Sequence, residues 1–464
     1  MNSKDRFNET HLPPKEAFYS TLSGQHISDD DYMHAIRVWK VFNIKNMGEY
    51  NDLYLLTDVL LLADVFESFR NMCLKYYSLD PCHYITLPSF AWDASLRIHN
   101  QVLELFTGEQ SDMYLKVEDS IRGGISMITH KYAKANNKYM SSYDKNKSPL
   151  YIIYLDANNL YGWAMSQYLP YGNYQDDTDV DKYTPEYIMS LEDNTHEGCF
   201  LVVDLEYPKE LHDLHNDYPL APQRKRVTKD MLSNHTKEIM NKSYLFLNPS
   251  KKDSEKNKDR SKGDAVDKLI CDFSDKINYG IHYRALKFYL RQGLKLKKVH
   301  SVITFSQSAW LKEYIDFNTA KRAVAKNDFE KDFFKLMNNA VFGKTMENVR
   351  NRINMVLINN DLSRLKRYTA KPNFKRATIF DDPDTDKLTD CNVCAVHMTK
   401  NEVTLHKPIM IGQAILDLSK VHMFIFYYNA LKKQYGDKIK LLFTDTDSLC
   451  FEVETEDYYN DIVK

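Results

Sequence analysis

The chain alternates between two hydrophobic periods. Near its end, Leu441-Leu442-Phe443 leads into the polar stretch Thr444-Asp445-Thr446-Asp447-Ser448, and Leu449-Cys450-Phe451 leaves it. An apolar run, a short polar turn and a β-prone run predict two strands joined by a tight hairpin. A second apolar run, Tyr151-Ile152-Ile153-Tyr154-Leu155, ends on Asp156 and predicts another strand, with a turn from Asp156 to Gly162. Tyr54 to Phe66 predicts a buried helix, and residues 308–350 carry the strongest helical pattern. Gly412 to Lys420 opens a further helix that runs through an aromatic patch to about Tyr435. There Gly436-Asp437 turns the chain into the hairpin. Residues 1–50 read as polar and mostly helical, 171–300 as mixed, and 351–405 as a polar, irregular excursion. The charged run 249–264 has almost no apolar residue and reads as a mobile loop. Together these predict an α/β (α+β) protein, and 464 residues suffice for two or three packed units.

On an extended strand or tight hairpin, Asp445 and Asp447 project to one side. Two carboxylates held there make a hard-oxygen site suited to Mg²⁺. The third acid such a site needs is Asp156. Three acids on adjacent strands would hold two metal ions, Mg²⁺ or Mn²⁺, for phosphoryl transfer. The helical stretch supplies a complementary surface. Lys331 lies one turn before Lys335, Phe342 nearly superposes on Lys335, Asn339 is one step around, and Gly343 follows. Two cations, an amide, a flat ring and a glycine on one face suit a nucleoside triphosphate. Gly123-Gly124, after a helical stretch, either lets the backbone approach something closely or simply turns, and Arg122 beside it suits a phosphate. Tyr54 and Asp58 share a helix face, which by itself is only a polar edge.

Charge and composition narrow this little. Lys+Arg number 62 and Asp+Glu 64, which excludes a binder held by global charge but not a local basic groove. The 32 Tyr and 23 Phe supply a core and rings able to stack on bases. Seven scattered Cys fit a reducing compartment better than a disulfide framework. No signal-peptide core follows Met1 and no stretch approaches the ~20 apolar residues of a membrane helix, so a soluble protein without membrane partners is expected. Cys391, Cys394 and His397 lack the fourth ligand a zinc site needs. No Gly-rich phosphate loop with a following Gly-Lys appears.

Three segments, in order, resemble motifs of the family B DNA polymerases, and within them the protein-primed branch of phages, viruses, linear plasmids, organellar elements and Maverick-like DNA transposons. Asp156 to Gly162 is similar to Asp-x-x-Ser-Leu-Tyr-Pro, with Asn159 for Ser and Gly162 for Pro. Lys335 to Gly343 is similar to Lys-x-x-x-Asn-Ser-x-Tyr-Gly, with Ala340 for Ser and Phe342 for Tyr. Phe443 to Ser448 is similar to Tyr-x-Asp-Thr-Asp-Ser, with Phe443 for Tyr. Gly123-Gly124 sits where the family links exonuclease to palm, and Tyr54-x-x-x-Asp58 looks like the third exonuclease motif. The resemblance covers residues from about 50 to 453.

The resemblance implies a right-hand polymerase palm and fingers, with the C-terminal remnant of an exonuclease domain and no thumb. The implied domains are 1–110 (exonuclease remnant), 111–170 (first palm part), 171–300 (palm insertion meeting a terminal priming protein), 301–350 (fingers), 351–405 (insertion aiding strand displacement) and 406–464 (second palm part). It implies Asp156 and Asp447 as metal ligands with Asp445 assisting, the Ala157 carbonyl completing a metal shell, and Lys335 neutralising the triphosphate. It implies Tyr161 under the sugar excluding a 2′-hydroxyl, Asn339 and Phe342 along the nascent base pair, and Lys420 on the primer–template backbone. The implied partners are primer–template DNA, deoxynucleoside triphosphates and a priming protein, in a nucleus or host cytoplasm. The upstream acidic exonuclease motifs are missing, so no 3′–5′ exonuclease activity is expected, and the chain reads as an excerpt. Two other functions compete: a catalytically silent remnant that still binds DNA or nucleotide, and a two-metal nuclease, against which the Lys335/Asn339/Phe342 helix counts.

Overall fold

The structure is a computed structural model and describes residues 4–99, 101–247, 267–359, 361–380 and 393–463. The run 249–264 read as a mobile loop lies outside the described residues. The chain divides into two compact units, Met1–Phe90 and Ala91–Lys464. The first therefore ends some way before the boundary expected at 110.

The first unit is helical. Ser28 caps the Asp29–Val41 helix through its hydroxyl, and Asn46 caps the Met47–Tyr77 helix through its side-chain oxygen. Tyr54 to Phe66 is helical as predicted, but it is not buried. Leu55, Leu56, Val59, Leu60, Leu61, Leu62 and Val65 are all more than half exposed. Apolar content sets the helix, but among the described residues nothing within the unit covers it here.

The second unit holds thirteen strands among the described residues: β1 (Ser126–Ile128), β2 (Leu150–Asp156), β3 (Leu169–Asp176), β4 (Glu197–Glu206), β5 (Gln223–Arg226), β6 (Asp267–Ile270), β7 (Lys276–His282), β8 (Lys295–Ser308), β9 (Asn354–Ile358), β10 (Phe374–Phe380), β11 (Val393–Met398), β12 (Ile439–Asp445) and β13 (Ser448–Glu454). The central sheet has the order β1-β12-β13-β2, all antiparallel. Its inner face, with Tyr151, Leu441, Leu449, Phe451 and Val453, packs on Val421, Phe424 and Tyr427 of the helical segment before it. That segment runs as an α-helix, Ile409–Ile425, then a π-helical stretch, Phe426–Lys432. By length and composition it could cross a membrane, contrary to the sequence reading. Its apolar window, however, is 83% buried inside the fold, as a core helix is.

The regions read as mixed or irregular are ordered. Residues 171–300 belong mainly to a second antiparallel sheet, β3-β8-β4-β7. β8 runs through the expected 300/301 boundary. Lys287 is buried and its ammonium donates to Asp193 Oδ1 at 2.7 Å. Within 351–405, β10-β11-β9 form a small sheet whose cluster of Ile358, Cys394, Val396 and Met398 packs on Leu365 and Tyr368. Cys394 and His397, three apart on β11, point to opposite faces and cannot share an ion; Cys391 lies outside the described residues.

Residues 312–345 form two helices, Lys312–Ala323 and Asp328–Thr345. Asn327 Oδ1 accepts from the Glu330 N–H, and Glu330 Oε2 accepts from the Lys326 N–H, a capping arrangement that starts the second helix. Phe333, Phe334, Met337 and Val341 bury one side of it. A buried Asn318–Asn338 hydrogen bond of 2.8 Å and the Tyr314 hydroxyl on the Met337 carbonyl at 3.0 Å fix the pair. Gly412 lets the Ile409–Ile425 helix pass close to Thr345 and Met346, whose side chains occupy the space a Cβ would take.

Candidate active site

Strand register brings the distant acids together. Ser126 pairs with Asp445, Asp445 with Ser448, and Ser448 with Asp156, so one row crosses all four strands. Directly opposed residues point to the same face. Asp156 and Asp445 are both exposed. β13 stands between β2 and β12, so these two acids are separated by two strand spacings, roughly 10 Å at Cα, and lie on non-adjacent strands. Asp447 sits between them on the two-residue turn Thr446-Asp447.

That turn is held from both sides. The Ala157 N–H donates to the Asp447 carbonyl at 2.7 Å, and the Thr446 N–H donates to the Ile125 carbonyl at 2.7 Å. Thr446 is left-handed, with φ 59°. Gly124 faces it so closely that a Cβ there would overlap the Thr446 side chain. Of the two readings of the glycine pair, close approach fits Gly124. Gly123 has open space around it.

The carboxyl of Asp447 is pushed above the usual range by burial, then by the charges of Asp156 and Asp445, and drawn down in part by Lys335. Asp447 thus feels all three of the other charged groups. Asp156, Ala157 and Asp447 line a common cavity of about 560 Å³. Among the described residues, no three His, Cys, Asp or Glu side chains converge as a metal-binding group. The donors present, two carboxylates and a backbone oxygen, are nevertheless hard, and their uncompensated negative charge suits a divalent cation.

The turn after β2 opens the Leu160–Met165 helix. Tyr161 stacks on Phe342 of the Asp328–Thr345 helix, centroids 4.3 Å apart and planes 13° apart. Burial raises the Tyr161 hydroxyl pKa, and the Asp447 charge adds to it. Lys331, Lys335 and Asn339 are exposed along one line of that helix. Lys335 lines a second cavity, of about 280 Å³, with Arg322, Asn158 and Asn159. Arg322 was not singled out from sequence; its place across the helix pair gave no local signal. Lys331 is turned to Asp328 at 3.3 Å. Gly343 has open space beside it, so this structure imposes no close approach there.

Two expected nucleic-acid contacts are corrected. Lys420 is buried, and its ammonium donates to the Arg122 carbonyl at 2.7 Å and the Leu416 carbonyl at 2.9 Å. Burial lowers its pKa to about 8. Arg122 is also buried, donating to the Ser120 and Gly280 carbonyls with its guanidinium 3.7 Å from the Tyr279 ring centroid. Both cations tie elements together and neither faces solvent. Tyr54 and Asp58 lie on the exposed stretch of the first unit's long helix.

No family model matches the chain, and no curated protein matches it. Among solved structures it is similar to Phi29 DNA polymerase in an orthorhombic crystal form, with TM-score 0.47 and 12% identity over 99% of this chain and 59% of that one. It is also similar to Phi29 DNA polymerase complexed with primer–template DNA and incoming nucleotide substrates, with TM-score 0.44 and 14% identity over 94% of this chain and 54% of that one. The chain therefore spans less than two thirds of the length of these structures.

Proposed function

We propose that the protein is a template-directed DNA polymerase that adds deoxynucleotides to a primer 3′-hydroxyl, as part of a protein-primed family B enzyme. The observation that carries this is the Asp445–Ser448–Asp156 row with Asp447 at its turn, coupled to Lys335 on a helix whose Phe342 stacks on Tyr161. Acids, a cation and rings of this kind support the reading of nucleotidyl transfer.

Asp156, Asp447 and the Ala157 carbonyl would hold divalent cations. Bound there, such ions supply Lewis acidity that eases deprotonation of the primer hydroxyl and steadies the pyrophosphate. Asp445, one strand further over, adds negative charge that favours their binding. Lys335 acts as a point charge toward the triphosphate, and Lys331 and Asn339 extend the same helix line. The Tyr161–Phe342 pair forms a flat platform for base and sugar, with Tyr161 excluding a 2′-hydroxyl by contact. The sheet face beside the acids presents Tyr154 and Phe443, their rings 6.0 Å apart, as an aromatic floor for a nucleic-acid strand. Residues 171–300 and 351–405 are assigned to priming-protein contact and strand displacement by their place in the chain.

Primer extension with Mg²⁺ or Mn²⁺ tests this. Asp447→Asn and Asp156→Asn are each expected to lower extension by at least about a thousandfold with folding intact, in keeping with loss of charge stabilisation at a transferring phosphoryl group. Extension unchanged in either variant would remove the mechanism. DNA or nucleotide binding without any extension by the parent chain would leave the silent remnant in its place.

A further inference from the structure

The larger cavity beside the acids has a second wall that phosphoryl transfer does not use. One side is the tip of β2 with Asp447; the other is the end of the Ile409–Ile425 helix and the π-helical stretch after it. A π turn widens a helix and commonly marks a functional position. Leu155, Ile425 and Phe426 give the cavity an apolar lining, and each remains 36–40% exposed rather than packed. Asn429 adds a hydrogen-bonding group. Among the described residues, the carboxylates lining it are Asp156 and Asp447. The volume, about 560 Å³, lies within the range of small-molecule sites, which are mostly apolar with a few placed polar groups.

We propose that this cavity is a binding site for a compact apolar molecule carrying one cationic group. The apolar body lies against Leu155, Ile425 and Phe426, and the cation turns to Asp156 and Asp447. Occupancy wedges the β2 tip, where the Ala157 N–H holds the Asp447 carbonyl, and so disturbs both acids. Lys335, Tyr161 and Phe342 are not part of the lining, but the cation takes the two acids assigned to the divalent ions, so inhibition should be relieved by more Mg²⁺. The inhibitory effect rests on the polymerase reading; binding does not.

Trp163 supplies a reporter, because its ring stacks on His422 of the lining with centroids 3.9 Å apart. The probes are 4-tert-butylbenzylamine and the neutral 4-tert-butylbenzyl alcohol, titrated into the full chain by calorimetry and tryptophan fluorescence without DNA. Expected is saturable one-site binding of the amine, about tenfold tighter than the alcohol, with an emission change lost in Trp163→Phe. Asp447→Asn should remove the preference for the amine and leave alcohol binding in place. Ala430→Phe, at an exposed lining position, should fill the site and weaken the amine at least tenfold. If circular dichroism shows that variant unfolded, Phe426→Ala replaces it with the same expected loss. No saturable binding of the amine, or equal binding by parent and filled variant, overturns the site. Inhibition of primer extension that more Mg²⁺ does not relieve overturns its placement at the acids. A chain that binds the amine but never extends a primer upholds the site while failing the polymerase reading.

Discussion

Asn159 and Gly162 depart together from the Ser and Pro that the resembling motif carries, and the structure couples them. Asn159 is left-handed, φ 58° and ψ 52°, a conformation that Asn tolerates better than most residues. Its side chain folds over Gly162, filling the space a Cβ would need. Pro at 162 would lose no helical hydrogen bond, because the position is in the first turn, but it would collide with Asn159. Gly162→Pro alone should therefore lower extension about tenfold by displacing Tyr161. Asn159→Ser with Gly162→Pro should recover most of that, giving a coupling of about 1 kcal/mol or more in a double-mutant cycle. Additive effects would show that the two positions are independent. Gly124→Ala should push on Thr446 and reduce extension at least tenfold with little change in melting temperature. Asp156 and Asp445 end their strands as the apolar runs predict, and alternation then relates the sides they face, whereas Asp447 is set by the turn. Arg122 and Lys420 were not. Their charge is visible, but their burial depends on carbonyls elsewhere in the fold, such as Gly280, 158 residues from Arg122.

At the scale of elements, periodicity reported the kind of element better than its cover. The Met47–Tyr77 helix is where the apolar run placed one, yet Tyr54 to Ser68 is exposed throughout. Apolar composition suggests burial, whereas burial needs a partner surface that periodicity does not encode. This has a direct consequence: Leu61, 58% exposed, gives up little by becoming polar. Leu61→Gln should change stability by no more than about 0.5 kcal/mol in urea denaturation, where a buried leucine would cost several times that. A loss above about 2 kcal/mol would show that the helix is covered in solution. The opposite error occurred at 351–405. There β9, β10 and β11 are short and their polar edges hide a cluster formed only when the three pair, so no single window shows it. The Asp328–Thr345 helix was legible on both counts, because its cap and its Phe333/Met337/Val341 face lie within one window.

At the scale of the molecule, the second unit buries His99, His215 and His282. Burial lowers the pKa of His99 and His215 to about 4 and of His282 to about 3. Nδ1 of His99 accepts from the Gln101 N–H and Nδ1 of His282 from the Arg284 N–H, so a proton gained on that nitrogen would displace its donor. The ordinary value is 6.5. Between pH 6.5 and about 4 the unfolded chain takes up protons that the folded chain refuses, so stability present above 6.5 is lost as the pH falls. Each fully neutral histidine contributes on the order of 1 kcal/mol per pH unit in that window. Glu347 is held well below the usual carboxylate range, mainly by its hydrogen bonds to Arg352. At Asp272 burial pushes upward, but hydrogen bonds from Lys225, Lys276 and Ser274 outweigh it and hold the carboxyl well below that range. Their loss comes only below about pH 4, where unfolded carboxylates protonate. Asp447, with its raised pKa, works the other way and gains stability on acidification, but it is one group against three. The urea midpoint should therefore fall markedly between pH 7 and pH 5. His99→Phe, which keeps a ring against Trp310, centroids now 4.5 Å apart, should flatten part of that slope. A midpoint constant from pH 7 to 5, or a slope unchanged in that variant, would mean that the buried imidazoles are hydrated or already protonated in the folded chain.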